Sequence, residues 1–137
     1  MVYIDWEDRY RIGHEAIDNQ HRRFFELINN LQQQASAGSG RDATILAMNS
    51  LANYALEHFA DEEELMDQIS FPGLIQHRRR HYSFASKVAD MALEWGKGNE
   101  TSIDDILLFL KEWLLGHILT EDMQIGEALK SRQKTTV

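Results

Sequence analysis

His58 and Glu62 stand four residues apart, and so do His77 and His81. On an α-helix that spacing leaves an angular offset of only roughly 40°, so each pair shares one face. Both faces are otherwise apolar. Leu74, His77, His81, Phe84, Val88, Met91 and Trp95 recur in steps of three and four, the pattern of an inward stripe. Met48, Leu51, Ala55, His58, Glu62, Leu65 and Ile69 repeat the same rhythm. An unpaired buried carboxylate is costly, and the usual compensations are ion pairing, protonation or a metal ion.

Two more helical stripes carry histidine where an apolar residue is expected. His21 falls among Ile17, Phe24, Phe25, Ile28 and Leu31, and His117 among Leu110, Trp113, Leu114, Ile118 and Ile125. Any one of these alone reads as an ordinary hydrogen-bonded core histidine. Five of the six histidines on inner faces are harder to reconcile with that. If protonated they repel one another, and if neutral each needs its own partner. Five imidazoles and two carboxylates exceed the four ligands of a structural zinc. They suit two ions bridged by carboxylates, and the mixture suits iron better than calcium or magnesium. One small bridging oxygen would complete all but one coordination position, and chemistry can occur at that vacancy. Spacing favours Glu62 over Glu63 and Glu64, which turn outward as solvated charges. On the last stripe it slightly favours Glu121, at i+4 from His117, over Asp122, about 140° round from His117 yet in line with Leu114 and Ile118.

Positioning these side chains requires four helices. Asp18 is a suitable N-cap for a first helix over 19–37. Gly38-Ser39-Gly40 then breaks the chain before a second helix over 42–68. Phe71-Pro72-Gly73 forms the next corner, with Pro72 compatible with a first helical turn. The third helix reaches Trp95. Thr101 or Ser102 with Asp104 and Asp105 resembles a capping box for a fourth helix ending near Leu129. Trp6, Tyr10 and Ile12 are placed to pack as an N-terminal arm over 1–18, and a polar tail at 130–137 is expected to fray. The expectation is one domain over 1–137, an all-α, up-down-up-down antiparallel four-helix bundle over 19–129.

Composition narrows the function. The 137 residues include one proline and no cysteine, which excludes disulfides, thiolate-ligated metal and covalently attached haem. A net charge of −8 argues against general nucleic-acid binding, and Arg78 to Arg80 read as a solvated helix face. No run is long enough to cross a bilayer, and the first residues do not read as a signal peptide, so a cytoplasmic location is expected.

The segments Ile17-Asp18-Asn19-Gln20-His21, His58-Phe59-Ala60-Asp61-Glu62-Glu63, His77-Arg78-Arg79-Arg80-His81 and Trp113-Leu114-Leu115-Gly116-His117-Ile118-Leu119-Thr120-Glu121-Asp122 resemble the bacteriohemerythrins. These are single-domain bacterial relatives of the oxygen carriers hemerythrin and myohemerythrin. The resemblance spans residues 6–126 and implies a hemerythrin-like bundle. It selects Asp122 over Glu121 as the second bridging carboxylate. It implies two iron ions with an oxo or hydroxo bridge, one held by His77, His81 and His117, the other by His21 and His58, with Glu62 and Asp122 shared. It further implies reversible dioxygen binding in an apolar pocket lined by Phe59, Trp113, Leu114 and Ile118, positions that core packing alone would also fill. A di-iron enzyme acting on peroxide, dioxygen or nitric oxide is the alternative, as is an oxygen- or iron-sensing module with a separate partner. No further acid or base is clearly placed in that pocket. His14, before the first helix, reads as a surface or hydrogen-bonding residue, and the methionines as core filler.

Replacing His77 or His81 with alanine is expected to weaken iron retention markedly. Metal analysis of the purified variants checks this, and an iron content equal to wild type would contradict the ligand set.

Overall fold

A computed structural model describes residues 3–38, 40–98 and 102–135. Its helices are α1 (Glu15–Ser36), α2 (Arg41–Gln68), α3 (Leu74–Gly96), α4 (Ile103–His117) and α5 (Met123–Thr135). A π-helical segment, Ile118–Asp122, joins α4 to α5 without interruption, so the two form one rod. Four antiparallel rods result, with α1 against α2, α2 against α3 and α1 against α4. A 3₁₀ turn at Asp8–Tyr10 lies in the arm that precedes α1.

Helix ends depart from the sequence reading in three places. α1 begins at Glu15, and its N-cap is His14, whose Nδ1 accepts from the Ile17 N–H at 3.2 Å. Asp18 therefore lies inside the first turn, buried, and turns its carboxylate back to the arm. It accepts the Ile12 N–H at 2.8 Å and the Gly13 N–H at 3.2 Å. An anion there suits the positive end of the helix while satisfying two donors of the incoming chain. Ser102 holds the N-cap position of α4 but makes no side-chain capping bond; Thr101 lies outside the described residues. The last rod continues to Thr135, past Leu129. Pro72 sits in the turn before α3.

The arm is fastened at two levels. Asn29 accepts the N–H groups of Tyr3 and Ile4 at 3.0 and 2.9 Å and donates to the Ile4 carbonyl at 2.9 Å. Trp6 and Tyr10 set their rings on Phe25 at 5.4 and 5.5 Å between centroids. Lower down, the Ile12 carbonyl lies directly on Gly126 of α5, where a Cβ would collide with it. A glycine in the interior of a helix costs conformational entropy, and this close approach is the reason for it.

Two apolar clusters divide the interior. The larger includes Phe24, Ile28, Met48, Phe84, Leu110 and Leu114. The smaller, toward the other end, contains Ile12, Ile17, Met66 and Ile125. Each rod passes from one cluster to the other through the positions that carry His or carboxylate. The polar side chains thus form a layer closed above and below by hydrocarbon.

Gly126→Ala should push the arm away from α5 and lower stability by about 1–3 kcal/mol, the usual cost of overpacking. Thermal denaturation followed by circular dichroism checks this. An unchanged melting temperature would show that the arm yields freely.

Candidate metal centre

All seven sequence-predicted polar residues meet in that layer. His21 comes from α1, His58 and Glu62 from α2, His77 and His81 from α3, and His117 from the end of α4. Asp122 closes the π segment. None is more than 5% exposed. The π turn decides between the two acids of the last rod. Its backbone hydrogen bonds span five residues, one more than in an α-helix. Asp122, five residues after His117, is therefore carried inward and is fully buried. Glu121 is left at the rim, 3.1 Å from the Arg80 guanidinium. The α-helical spacing that favoured Glu121 does not apply to this turn.

Distances within the layer separate the imidazoles into two groups. Glu62 Oε1 lies 2.7 Å from His77 Nε2 and 3.1 Å from His81 Nε2, while its Oε2 lies 3.1 Å from His58 Nε2 and 3.5 Å from His21 Nε2. Asp122 Oδ1 lies 3.0 Å from His77 Nε2 and 3.2 Å from His117 Nε2, and its Oδ2 lies 3.1 Å from His21 Nε2. Each carboxylate gives one oxygen to the His77, His81 and His117 group and the other to the opposite group. Every imidazole points Nε2 inward. His81 Nε2 and His117 Nε2 approach to 3.0 Å. Both nitrogens of His21, Glu62 Oε2 and both oxygens of Asp122 are buried without a hydrogen bond among the described residues. Buried groups left so are rare in proteins. Lone pairs converging from five imidazoles and two bridging-type acids fit a pair of cations, and these seven donors form two overlapping sets able to hold metal.

The family comparison agrees with this geometry. The hemerythrin HHE cation binding domain matches residues 12–129. The chain belongs to the hemerythrin family. It is 34% identical over 131 residues to a bacteriohemerythrin of Stenotrophomonas maltophilia, covering 96% of this chain and 84% of that one. It is 30% identical to a myohemerythrin of Riftia pachyptila, covering 82% of each. A wild-type hemerythrin crystal structure superposes with a TM-score of 0.86 at 24% identity, covering 93% of this chain and 98% of that one, a likeness of fold.

Around the hemerythrin-type cluster stands an outer ring of polar contacts that sequence reasoning missed. Glu63 is not a free solvated charge: its Oε2 lies 3.0 Å from His81 Nδ1, and its Oε1 accepts from Arg78 Nε at 3.0 Å. Glu121 Oε2 lies 3.5 Å from His117 Nδ1 and accepts from the Thr120 hydroxyl at 3.0 Å. Gln20 Oε1 lies 2.7 Å from His58 Nδ1. Arg78 and Arg80, read from sequence as simply solvated, thus each hold a carboxylate that faces a core histidine. The one available signal was an acid beside, or one turn from, an inward residue. Of the four pocket candidates, Phe59 lies parallel to His81 at 3.9 Å and Trp113 parallel to His117 at 4.4 Å. Leu114 and Ile118 are fully buried in the larger cluster.

Without metal, the layer is a network of opposite charges. Burial lowers the His21 pKa, but the facing Asp122 and Glu62 carboxylates outweigh it and bring it to about 9. His77 and His117 are raised by the same competition, burial opposed by the two acids. His58 is lowered, because burial prevails over its Glu62 contact. Burial raises Glu62 and Asp122, yet the surrounding imidazoles hold both below the usual carboxylate range.

These shifts fix a pH dependence. The raised histidines stabilise the fold fully below about pH 6.5 and lose that contribution as pH rises through their folded values, about 9 for His21. The depressed carboxylates contribute above their unfolded values, near 4.5 for Glu62, and lose it in acid. His58 opposes the other three histidines, since its lowered value favours folding at higher pH. Chelator-treated protein should therefore melt highest between about pH 4.5 and 6.5, with the melting temperature falling toward pH 9. A melting temperature that rises from neutral to pH 9 would contradict the charge network.

Proposed function

We propose that the chain is a non-haem di-iron protein that binds dioxygen reversibly, for carriage, storage or delivery. The observation that carries this reading is the division of oxygens in Glu62 and Asp122, one toward each imidazole group. His77, His81 and His117 would hold one iron and His21 and His58 the other, with the two acids shared. Two ferrous ions so held would supply the electrons that dioxygen takes up on binding and recover them on its release. The remaining work belongs to the protein. Leu114 and Ile118 close the layer with hydrocarbon and keep water out, while Phe59 and Trp113 hold the imidazoles they lie on in fixed orientation.

Reversibility requires a dry, apolar pocket with no further side-chain proton donor to drive O–O cleavage. Apart from the seven cluster residues, the buried side chains with an acid or hydroxyl group among the described residues are Asp18, Thr44 and Tyr10, and the Tyr10 hydroxyl donates to Glu7 at 2.8 Å. Asp18 is engaged by the arm, and the Thr44 hydroxyl donates to the Gly40 carbonyl. The Tyr54 hydroxyl donates to the Gln20 carbonyl at 2.9 Å, and burial pushes its pKa up to about 12. That distribution favours a carrier over an enzyme. Dioxygen is the small-molecule ligand, and the net charge of −8 argues against general nucleic-acid binding. No helix among the described residues is long and apolar enough to cross a membrane, in keeping with a cytoplasmic carrier.

Anaerobic reconstitution with ferrous iron, followed by visible spectra before oxygen, under oxygen and after its removal, tests the reading. A band that appears with oxygen and disappears on deoxygenation is the expected result. Direct passage to a stable oxidised spectrum would favour an oxidase or sensor, and no bound iron would end the di-iron reading. Leu114→Ala should admit water and speed autoxidation in the same assay, whereas an unchanged rate would remove Leu114 from the barrier.

A further inference from the structure

Among the described residues, carboxylates stand behind the imidazoles of one half of the centre and not the other. In the three-histidine half, His81 Nδ1 faces the Glu63 carboxylate at 3.0 Å and His117 Nδ1 faces Glu121 at 3.5 Å. Each of these acids is gripped from outside by an arginine of α3, Arg78 at 3.0 Å and Arg80 at 3.1 Å. The two-histidine half differs. His58 Nδ1 meets only the neutral amide oxygen of Gln20, at 2.7 Å, and that amide donates its own N–H to Asp61 at 2.9 Å. His21 Nδ1 is buried and has no hydrogen-bond partner among the described residues.

A carboxylate behind a histidine fixes the ring's tautomer and orientation and makes the opposite nitrogen a stronger ligand. A neutral amide does the first and little of the second, and an unpartnered nitrogen does neither. We infer that the two halves bind metal unequally: the His77, His81 and His117 half fills first, and Glu63 and Glu121 are the positioning residues that make it so. The inference rests on the two-metal reading above and adds to it an order of loading. It also gives the Arg78 to Arg80 run a purpose, since two of its guanidinium groups keep the acids aimed inward at partly exposed positions where water would otherwise turn them away.

Titrating metal-free protein with cobalt(II) against a competing chelator tests this at fixed pH. Wild type should take up cobalt in two resolved steps, and His58→Ala should abolish the second while leaving the first. Glu63→Gln combined with Glu121→Gln should weaken the first step by about 10- to 100-fold and spare the second. The reciprocal change, Gln20→Glu with Asp61→Asn, places an anion behind His58 and should tighten the second step, a gain that loss of folding could not imitate. Two equal steps in wild type, or a first step unmoved in the double glutamine variant, would overturn the inference. Absence of any cobalt uptake by wild type would overturn the two-metal reading and this inference with it.

Discussion

Two carboxylates fully removed from water, Glu62 and Asp122, are the constraint on which the rest of this bundle depends. An ionised acid in a hydrocarbon interior is tolerated only when opposite charge surrounds it. Here His21, His77 and His117, whose pKa values are raised, supply it, and each acid spreads its two oxygens over both groups of imidazoles. All four rods must contribute for that to happen, so the layer dictates their number, register and mutual rotation. The apolar clusters on either side keep the layer dry, which strengthens every attraction inside it and raises the cost of any missing partner. Fold and site are therefore one arrangement, and neither can be specified without the other.

The outer contacts extend the same logic outward. Imidazoles are held in orientation by Glu63, Glu121 and Gln20, and two of those three by arginines at the surface. Ring faces supply what hydrogen bonds do not, with Phe59 against His81 and Trp113 against His117.

Much of this was legible in the sequence, for a physical reason: histidine and glutamate on an apolar helical stripe are conspicuous, so the helices and six of the seven inner residues announce themselves by spacing. Asp122 did not, because spacing arguments assume 3.6 residues per turn, and the π segment breaks that assumption where it matters. The resemblance to the hemerythrins corrected the choice without supplying the reason. Asp18 has the right chemistry for a cap, but His14 reached the free N–H first and left the acid to anchor the arm. Glu63 was illegible for another reason. Its outward direction on α2 is correct, but its surroundings belong to α3, and no pattern within one helix reports what a neighbour brings alongside.

The π segment has a consequence for the arm as well as for the centre. Gly126, the seat of the Ile12 carbonyl, follows Asp122 by four residues on the same rod. The extra residue in the π turn therefore sets the azimuth of both at once. Removing one residue from that turn would rotate α5 by about 100° relative to α4, withdrawing the acid from the imidazoles and the glycine from the arm in a single motion. Chain length at this one place acts as a phase setting shared by two distant contacts. The residue count between His117 and Gly126 is therefore as constrained as the identities of His117, Asp122 and Gly126 themselves.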